Sequence, residues 1–179
     1  MAVVALWPSN DLLLSLIAPI GLAATRRQCL VIDLEANGPA MRAPFSLADL
    51  VRDGPTRAQL EPTGPGVAIL PNGGVSTSDA STVVSALAQR WPDVVLRCDP
   101  SLPPPRSAVC LVPLLPEPFT PMGANRIVYQ QLGFPVDAPA GSLVLPRPSR
   151  PTVDALVALR APPGRSRWLR KLSTIWSTA

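Results

Sequence analysis

Five short apolar runs, rich in Val, Ile and Leu, constrain the fold of this chain more than any other feature. They are Ala2 to Leu6, Cys29 to Ile32, Gly66 to Leu70, Val94 to Leu96 and Ala108 to Val112. Polar and apolar residues do not alternate inside these runs, which is typical of strands covered on both faces of a parallel sheet. Stretches with helical spacing follow at Leu12 to Ala24, Ser46 to Leu60, Ser78 to Arg90 and Met122 to Leu132. Because strands and helices alternate, the sequence predicts an α/β fold with a doubly wound, mainly parallel sheet.

Capping residues support these boundaries. Ser46 is followed three residues later by Asp49, which is the spacing of a capping box, and Ser78 or Asp79 begins the next helix in the same manner. After Leu132 the prolines become frequent, which predicts a return to a final strand and a connector. A short helix is expected from Thr152 to Leu159.

Length and composition bound the class of protein. With 179 residues, of which 47% are apolar, the chain is long enough for one globular domain, predicted over residues 1–160, followed by a hinge and a helix over 161–179. The sequence contains no histidine, which excludes Ser-His and Cys-His hydrolase chemistry and the commonest metal ligand. Cys29, Cys98 and Cys110 lie in strand-like runs without metal-site spacing, so we expect buried, reduced thiols and a cytoplasmic protein.

The N-terminal apolar stretch is not expected to cross a membrane. Leu12 to Ala24 is interrupted by Pro19, no basic residue precedes it, and it is shorter than the ~20 residues that a spanning helix needs.

Six segments succeed one another in a recognisable order. They are "VVALWPSNDLLLSLIAPIGLAA", "RRQCLVIDLEANGP", "SLADLVRDGPTRAQL", "GVAILPNGG", "VVSALAQRWPDVVLRCDP" and "AVCLVPLLPEPFTPMGANRIVYQQLG". Their order and spacing, over roughly the first 135 residues, resemble the ParA/MinD family of deviant-Walker, SIMIBI-class P-loop ATPases, including the TadZ/CpaE-like pilus-assembly branch. The resemblance implies a P-loop NTPase fold that dimerises through its nucleotide face.

The catalytic signature of that family is missing. A P-loop needs glycines to wrap the phosphates, a lysine to reach them and a Ser or Thr for magnesium, yet Trp7 to Leu14 contains neither glycine nor lysine. The single lysine of the chain is Lys171. Asp11 would repel phosphates, and Arg97 stands where the family usually has an aspartate, with Asp99 two residues further on. We therefore predict a degenerate P-loop, no bound cofactor or metal, and no enzymatic activity.

The resemblance implies a vestigial nucleotide face, formed where the strands end. Its candidate residues are Trp7, Pro8, Ser9, Asn10, Asp11, Asp33, Glu35, Arg97 and Asp99. Asp33 could instead simply cap its strand and solvate a loop. If the vacated face serves self-association or contact with an active relative, Trp7, Pro8 and Asn10 are the predicted contact residues.

The C-terminal stretch "GRSRWLRKLSTIWSTA" is the second candidate site. On a helix, its apolar side chains form one stripe flanked by cations. The candidate binding residues are Arg165, Arg167, Trp168, Leu169, Arg170, Lys171, Leu172, Ile175 and Trp176. Residues 138–179 contain seven basic residues and one acid, whereas residues 1–137 contain nine basic and eleven acidic residues, so the net charge of +4 belongs to the tail.

Three partners fit that stripe. It could lie on an anionic bilayer, as the similar C-terminal helix of MinD does, which would place the protein at the inner face of the bacterial membrane. It could enter a groove of a partner protein, or dock on the chain's own core. We expect no nucleic acid partner, because the cations are few and no recognised DNA-binding motif is present.

Together these features predict a pseudo-ATPase that acts as a membrane-associated positioning or regulatory scaffold. One alternative is a protein-binding subunit of a larger assembly, such as a pilus or cell-division machine. The other is an ATPase or nucleotide binder with an unorthodox loop.

Overall fold

A computed structural model describes residues 2–56, 59, 64–117, 119–133 and 135–178. The strands are β1 (Ala2–Pro8), β2 (Gln28–Asp33), β3 (Gly66–Leu70), β4 (Asp93–Arg97), β5 (Val109–Pro113), β6 (Arg126–Gln130) and β7 (Leu143–Leu145). The helices are α1 (Leu12–Ala23), α2 (Leu47–Asp53), α3 (Thr77–Arg90), α4 (Arg150–Val157) and α5 (Arg167–Leu172), the last continued by a 3₁₀ helix over Ser173–Thr178.

The strands form one sheet in the order β3-β2-β4-β1-β5-β6-β7, and every described pairing is parallel. The α/β class and the parallel sheet are therefore confirmed. The chain leaves β1 toward one side of the sheet and crosses back from β4 to β5 toward the other. In such sheets the crevice for ligands lies at the carboxyl ends of the central strands.

The helix predicted over Met122 to Leu132 is wrong, because that stretch contains β6. Its centre is Ile127, Val128 and Tyr129, a β-branched and aromatic run that suits a strand. β6 pairs with both β5 and β7, and the hydrogen bonds of these two pairings favour a strand over a helix. The apolar spacing of the segment alone fits either structure. β7 lies within the proline-rich region for which a final strand was expected.

The capping box at Ser46 and Asp49 is confirmed, with both reciprocal bonds present. α2 ends at Asp53, where Gly54-Pro55 was predicted to stop the helix, and Gly54 adopts φ +78. The rest of the stretch with helical spacing, to Leu60, includes residues outside those described. α3 begins slightly earlier than expected, with Ser76 as its cap.

Alternate residues of the strands pack on opposite faces of the sheet. α1 and α5 cover one face, where they meet Val31, Val95 and Leu111. On the other face α2 and α3 cover β2, β3 and β4. Beside them, β1 and β5 to β7 pack Trp7, Cys110 and Tyr129 into a third cluster, which connecting segments complete.

The three cysteines are free and buried, as predicted. Burial raises the pKa of Cys29 and of Cys98 to about 12, so both thiols are protonated and unreactive. Among the described residues, no helix has the length and apolar character needed to span a bilayer.

Candidate functional site

The candidate site lies where β1, β2 and β4 end side by side. Asp33 is the last residue of β2, Arg97 is the last residue of β4, and the two are partners in the strand register. Residues paired across neighbouring strands project to the same face, here the face that α1 covers. The parallel topology therefore brings an acid and a base together beneath the first helix.

The Arg97 guanidinium is fully buried, with hydrogen bonds at Nε and Nη1 and an ion pair at Nη2. Its Nη1 donates to Asp33 Oδ2 at 3.1 Å and to the Pro39 carbonyl at 3.0 Å. Its Nε donates to Ser15 Oγ at 3.0 Å, and its Nη2 forms an ion pair with Glu35 Oε2. Such a pair retains its charge in the interior only because each donor faces an acceptor or an opposite charge.

Ser15 and Glu35 close this network. The Ser15 hydroxyl donates to Glu35 Oε2 at 2.8 Å while it accepts from Arg97, and the Glu35 amide donates to Asp33 Oδ1 at 3.0 Å. A side chain at Gly38 would collide with the Glu35 carboxyl and with Arg97 Nη2. We call Ser15, Asp33, Glu35 and Arg97 the ion-pair cluster.

Burial controls the titration of Asp33. Desolvation raises its pKa from 3.8 to about 6, and the neighbouring Arg97 charge opposes that rise. Asp33 is only 3% exposed, so it does not solvate a loop. Its carboxylate pairs with Arg97 in the interior and does not face solvent.

The loop between β1 and α1 also supplies its own partners. Asp11 Oδ1 accepts from the Leu14 amide at 2.8 Å and so caps α1. A helix N-terminus favours an anion, and here the chain's own carboxylate provides it. Ser9 is buried, and its hydroxyl has no hydrogen-bond partner within the described part of the chain.

The remaining predicted residues lie around this loop without joining the cluster. Trp7 is 7% exposed and its Nε1 donates to the Leu102 carbonyl at 2.9 Å, while Pro8 is buried and Asn10 is exposed. Asp99 accepts from Ser101 in a tight turn. Trp7 and Pro8 therefore offer little surface to a partner, although they were predicted contact residues.

Comparison with known proteins gives one informative result. A scan of protein-family models and a search of curated proteins found no match. Among solved structures, a ParA family ATPase from Chlorobium tepidum TLS superposes with a TM-score of 0.61 at 11% identity, covering 99% of each chain. The chain has a ParA-like P-loop NTPase fold. At this identity the likeness establishes the fold alone.

A P-loop NTPase fold implies a nucleotide and magnesium, and the residues at this site do not fit them. Asp11 places a negative charge at the helix end that would receive phosphate, and Arg97 is already committed to two carboxylates. The single Ser9 hydroxyl cannot offset the charge of a triphosphate. Within the described residues, no group of His, Cys, Asp and Glu could hold a metal ion.

The structure thus brings Asp33, Glu35 and Arg97 together, as their common face predicted. Sequence reasoning missed Ser15, although it is the one hydroxyl in the apolar stretch from Leu12 to Ala24. It also missed Gly38, whose role depends on a close approach that only the folded chain shows.

The C-terminal helix docks on the body of the protein. Trp168, Leu172 and Ile175 are at most 1% exposed and join the cluster that contains α1 and β5. Of the three occupants left open by the sequence, the structure shows the chain's own core. The predicted hinge therefore leads into a helix that belongs to the main hydrophobic cluster.

Hydrogen bonds fix both indole rings of this helix. Trp168 Nε1 donates to Gln130 Oε1 at 2.7 Å, and Trp176 Nε1 donates to Thr25 Oγ1 at 3.0 Å. The Trp168 ring lies so close to α1 that a Cβ at Gly21 would sit 2.6 Å from Cζ3. The fit requires glycine at that turn of α1.

Docking leaves the basic side of the helix on the surface. Arg165, Arg167, Arg170 and Lys171 are exposed, and no described acidic side chain forms an ion pair with them. The last three line a shallow groove of about 460 Å³ beside Gln131. The tail therefore exposes its charged side chains to solvent and buries its apolar stripe.

Proposed function

We propose that the protein is a catalytically inactive pseudo-ATPase with a ParA-like fold, which acts as a positioning or regulatory scaffold. The observation that supports this most directly is the ion-pair cluster. Arg97 supplies the cation that the carboxylates need, and Asp11 supplies the anion at the start of α1. Phosphoryl transfer depends on positioned cations around the phosphates, and this face has no uncommitted cation among the residues that form it.

Calorimetry with ATP and Mg²⁺ tests the inactive site. We expect no heat of binding up to millimolar nucleotide, whereas a P-loop ATPase that retains its lysine, titrated in the same buffer, binds. Micromolar binding by the folded chain would establish the alternative, a nucleotide binder with an unorthodox loop.

A scaffold needs a contact surface, and the carboxyl edge of the sheet offers one. Leu12 and Leu13, in the first turn of α1, are 69% and 47% exposed, and Leu115 follows β5 with 38% exposure. Large apolar side chains grouped at the surface commonly mark protein contacts. We propose that this edge mediates self-association, with contact to a catalytically active relative as the alternative.

Sedimentation velocity tests that surface. The double variant Leu12→Glu/Leu13→Glu is expected to shift a dimer to monomer. Met122→Glu is the control, because Met122 is 93% exposed and lies near the start of β6, away from this edge. A wild-type chain that stays monomeric at high concentration, or equal behaviour of both variants, would remove the surface from consideration.

Peripheral attachment to the inner face of the membrane is proposed through the exposed basic side of α5. Each cation close to an anionic surface contributes on the order of 1 kcal/mol, and such attraction falls as salt rises. Insertion of the apolar stripe would instead leave the facing core of α1 and β7 uncovered. We therefore expect weak, salt-sensitive binding without release of the helix.

Co-sedimentation with vesicles of phosphatidylglycerol and phosphatidylcholine distinguishes membrane from protein partners. Neutralising Arg167, Arg170 and Lys171 with glutamine is expected to abolish binding at low salt, whereas Arg106→Gln/Arg126→Gln retains it. If the wild type stays in the supernatant at low salt, the basic surface serves a protein partner, which is the second reading of the tail.

A further inference from the structure

An apolar groove lies at the edge of the sheet, between β3, α1 and α4. Its volume is about 580 Å³, and its apolar lining includes Ile20, Val67, Ile69, Leu156 and Leu159. β3 is an edge strand, and its Val67 and Ile69 are only partly buried although they pack against the main core. The core is thus open to solvent at this point.

A second groove continues the first. It measures about 330 Å³ and shares Ile20, Arg42 and Leu159 with the larger one, while Val157 adds a further apolar wall. Val157 and Leu159 are 50% and 49% exposed, so the wall that they form faces solvent. We call these two adjoining grooves the apolar channel, and each has the size that small-molecule sites have, about 300–1,000 Å³.

The backbone at the end of α4 is strained where it forms the wall. Leu159 has φ +52, a left-handed conformation that a branched side chain rarely adopts. Hydrogen bonds from the Leu159 amide to Leu156 and from the Arg160 amide to Ala155 hold this turn. These two bonds form the Schellman motif in which many helices end, and here the motif fixes Leu159 in the wall of both grooves.

Three arginines line the larger groove. Arg26 is partly satisfied, because its Nε lies 3.6 Å from Asp93 Oδ2 and its guanidinium stacks on Trp176. Arg42 and Arg160 are exposed, and no described acidic side chain pairs with either. The mouth of an apolar channel thus carries unbalanced positive charge.

We propose that this channel binds a single-chain anionic amphiphile, a long-chain fatty acid, whose hydrocarbon chain follows the apolar walls while its carboxylate meets Arg42 and Arg160. The arginine fork matches a carboxylate, and the apolar lining suits a hydrocarbon chain. This site is separate from the ion-pair cluster. Its existence does not depend on the pseudo-ATPase proposal.

Titration of the full-length protein with palmitate, followed by calorimetry below the critical micelle concentration, tests the proposal. We expect saturable binding of one palmitate per chain. Arg42→Gln/Arg160→Gln should weaken binding about tenfold or more, because both charged contacts to the carboxylate are lost. Arg106→Gln/Arg147→Gln removes the same charge from other exposed sites and should leave palmitate affinity unchanged. Hexadecanol, which lacks the anion, should bind the wild type more weakly.

Leu159→Gly tests the apolar wall without endangering the fold. Glycine adopts a positive φ freely, so the thermal midpoint should hold or rise while palmitate affinity falls. Absence of saturable palmitate binding overturns the proposal, as does an equal loss of affinity in the two arginine pairs. Binding to phosphatidylglycerol vesicles without binding to monomeric palmitate would also overturn it, since the arginines would then serve a membrane surface.

Discussion

The carboxyl edge of the sheet and the C-terminal helix differ in what fills them. At the edge, a buried arginine pairs with two carboxylates; at the helix, two tryptophans and a row of aliphatic side chains pack against α1 and β7. The family resemblance implies a nucleotide at the carboxyl edge, and the sequence of the C-terminal helix predicts a membrane as its partner. In both, the folded chain supplies the occupant itself.

The difference lies in how each occupant is held. Buried ion pairs gain little net free energy, because desolvation offsets attraction, yet loss of one partner leaves an expensive unpaired charge. Apolar packing gains roughly 1.5–3 kcal/mol for each large side chain that leaves water. The stability contributed by the ion-pair cluster should therefore depend on pH and on whether each charge keeps its partner. The stability contributed by the C-terminal helix should depend on the volume and shape of its side chains.

Removal of the Trp168 side chain should have the largest effect. Trp168→Ala leaves a cavity over Gly21 and an unpaired Gln130 Oε1, so the free energy of unfolding should fall by about 5 kcal/mol. Urea denaturation measures the change. Trp168→Phe, which keeps most of the ring and loses the hydrogen bond, should cost less than half as much. Equal losses would show that the hydrogen bond, not packing, holds the helix.

Breaking the ion-pair cluster should come next. Arg97→Met leaves Asp33 and Glu35 buried without a cation, which should cost about 4 kcal/mol at pH 7. The triple variant Arg97→Met/Asp33→Asn/Glu35→Gln removes all the charges and should recover most of that loss in urea denaturation. If the triple variant is as unstable as the single one, the shape of Arg97 matters and its charge does not.

The outline of the fold could be predicted because it depends on local pattern. Buried parallel strands appear as unbroken apolar runs, and helices begin at recognisable caps such as Ser46. β6 was missed because its short apolar run also matches helical spacing, and only its position between β5 and β7 decides the matter. A pairing partner far along the chain is not visible in a local pattern.

The sequence could predict which residues belong to the candidate site, but not which of their atoms are in contact. The family resemblance placed Asp33, Glu35 and Arg97 on one nucleotide face in advance, at the edge where parallel strands end. That Arg97 turns into the core to meet the carboxylates depends on Ser15 and on the space left by Gly38. Likewise, the apolar stripe of the C-terminal helix could be predicted from its local spacing. The surface of α1 on which it packs could not, because α1 lies far away along the chain.

The pH dependence of stability should separate the two regions further. The pKa of Asp33 is about 6 in the folded protein against 3.8 normally, so the native state holds a proton that the unfolded chain releases. The stabilisation that this retained proton gives the folded state is complete below about pH 4 and is lost as the pH rises through 6. The unfolding free energy of the wild type relative to Asp33→Asn should thus fall by about 2–3 kcal/mol between pH 4 and 7. A constant difference across this range would contradict the buried carboxylate, and Trp168→Phe should show no such trend.

The smallest effect should come from Gly21, and its sign is informative. Alanine in the middle of a helix is normally about 1 kcal/mol better than glycine, so a free helix would gain from Gly21→Ala. Here the new methyl would lie 2.6 Å from Trp168 Cζ3, and such overpacking costs about 1–3 kcal/mol. We expect a net loss of about 1 kcal/mol in urea denaturation, together with a change in tryptophan fluorescence. Gly164→Ala is the matched control, because no atom lies within 4 Å of the position its methyl would take. If Gly21→Ala stabilises the protein instead, the helix does not rest on α1 in solution, and its apolar stripe is available to a membrane after all.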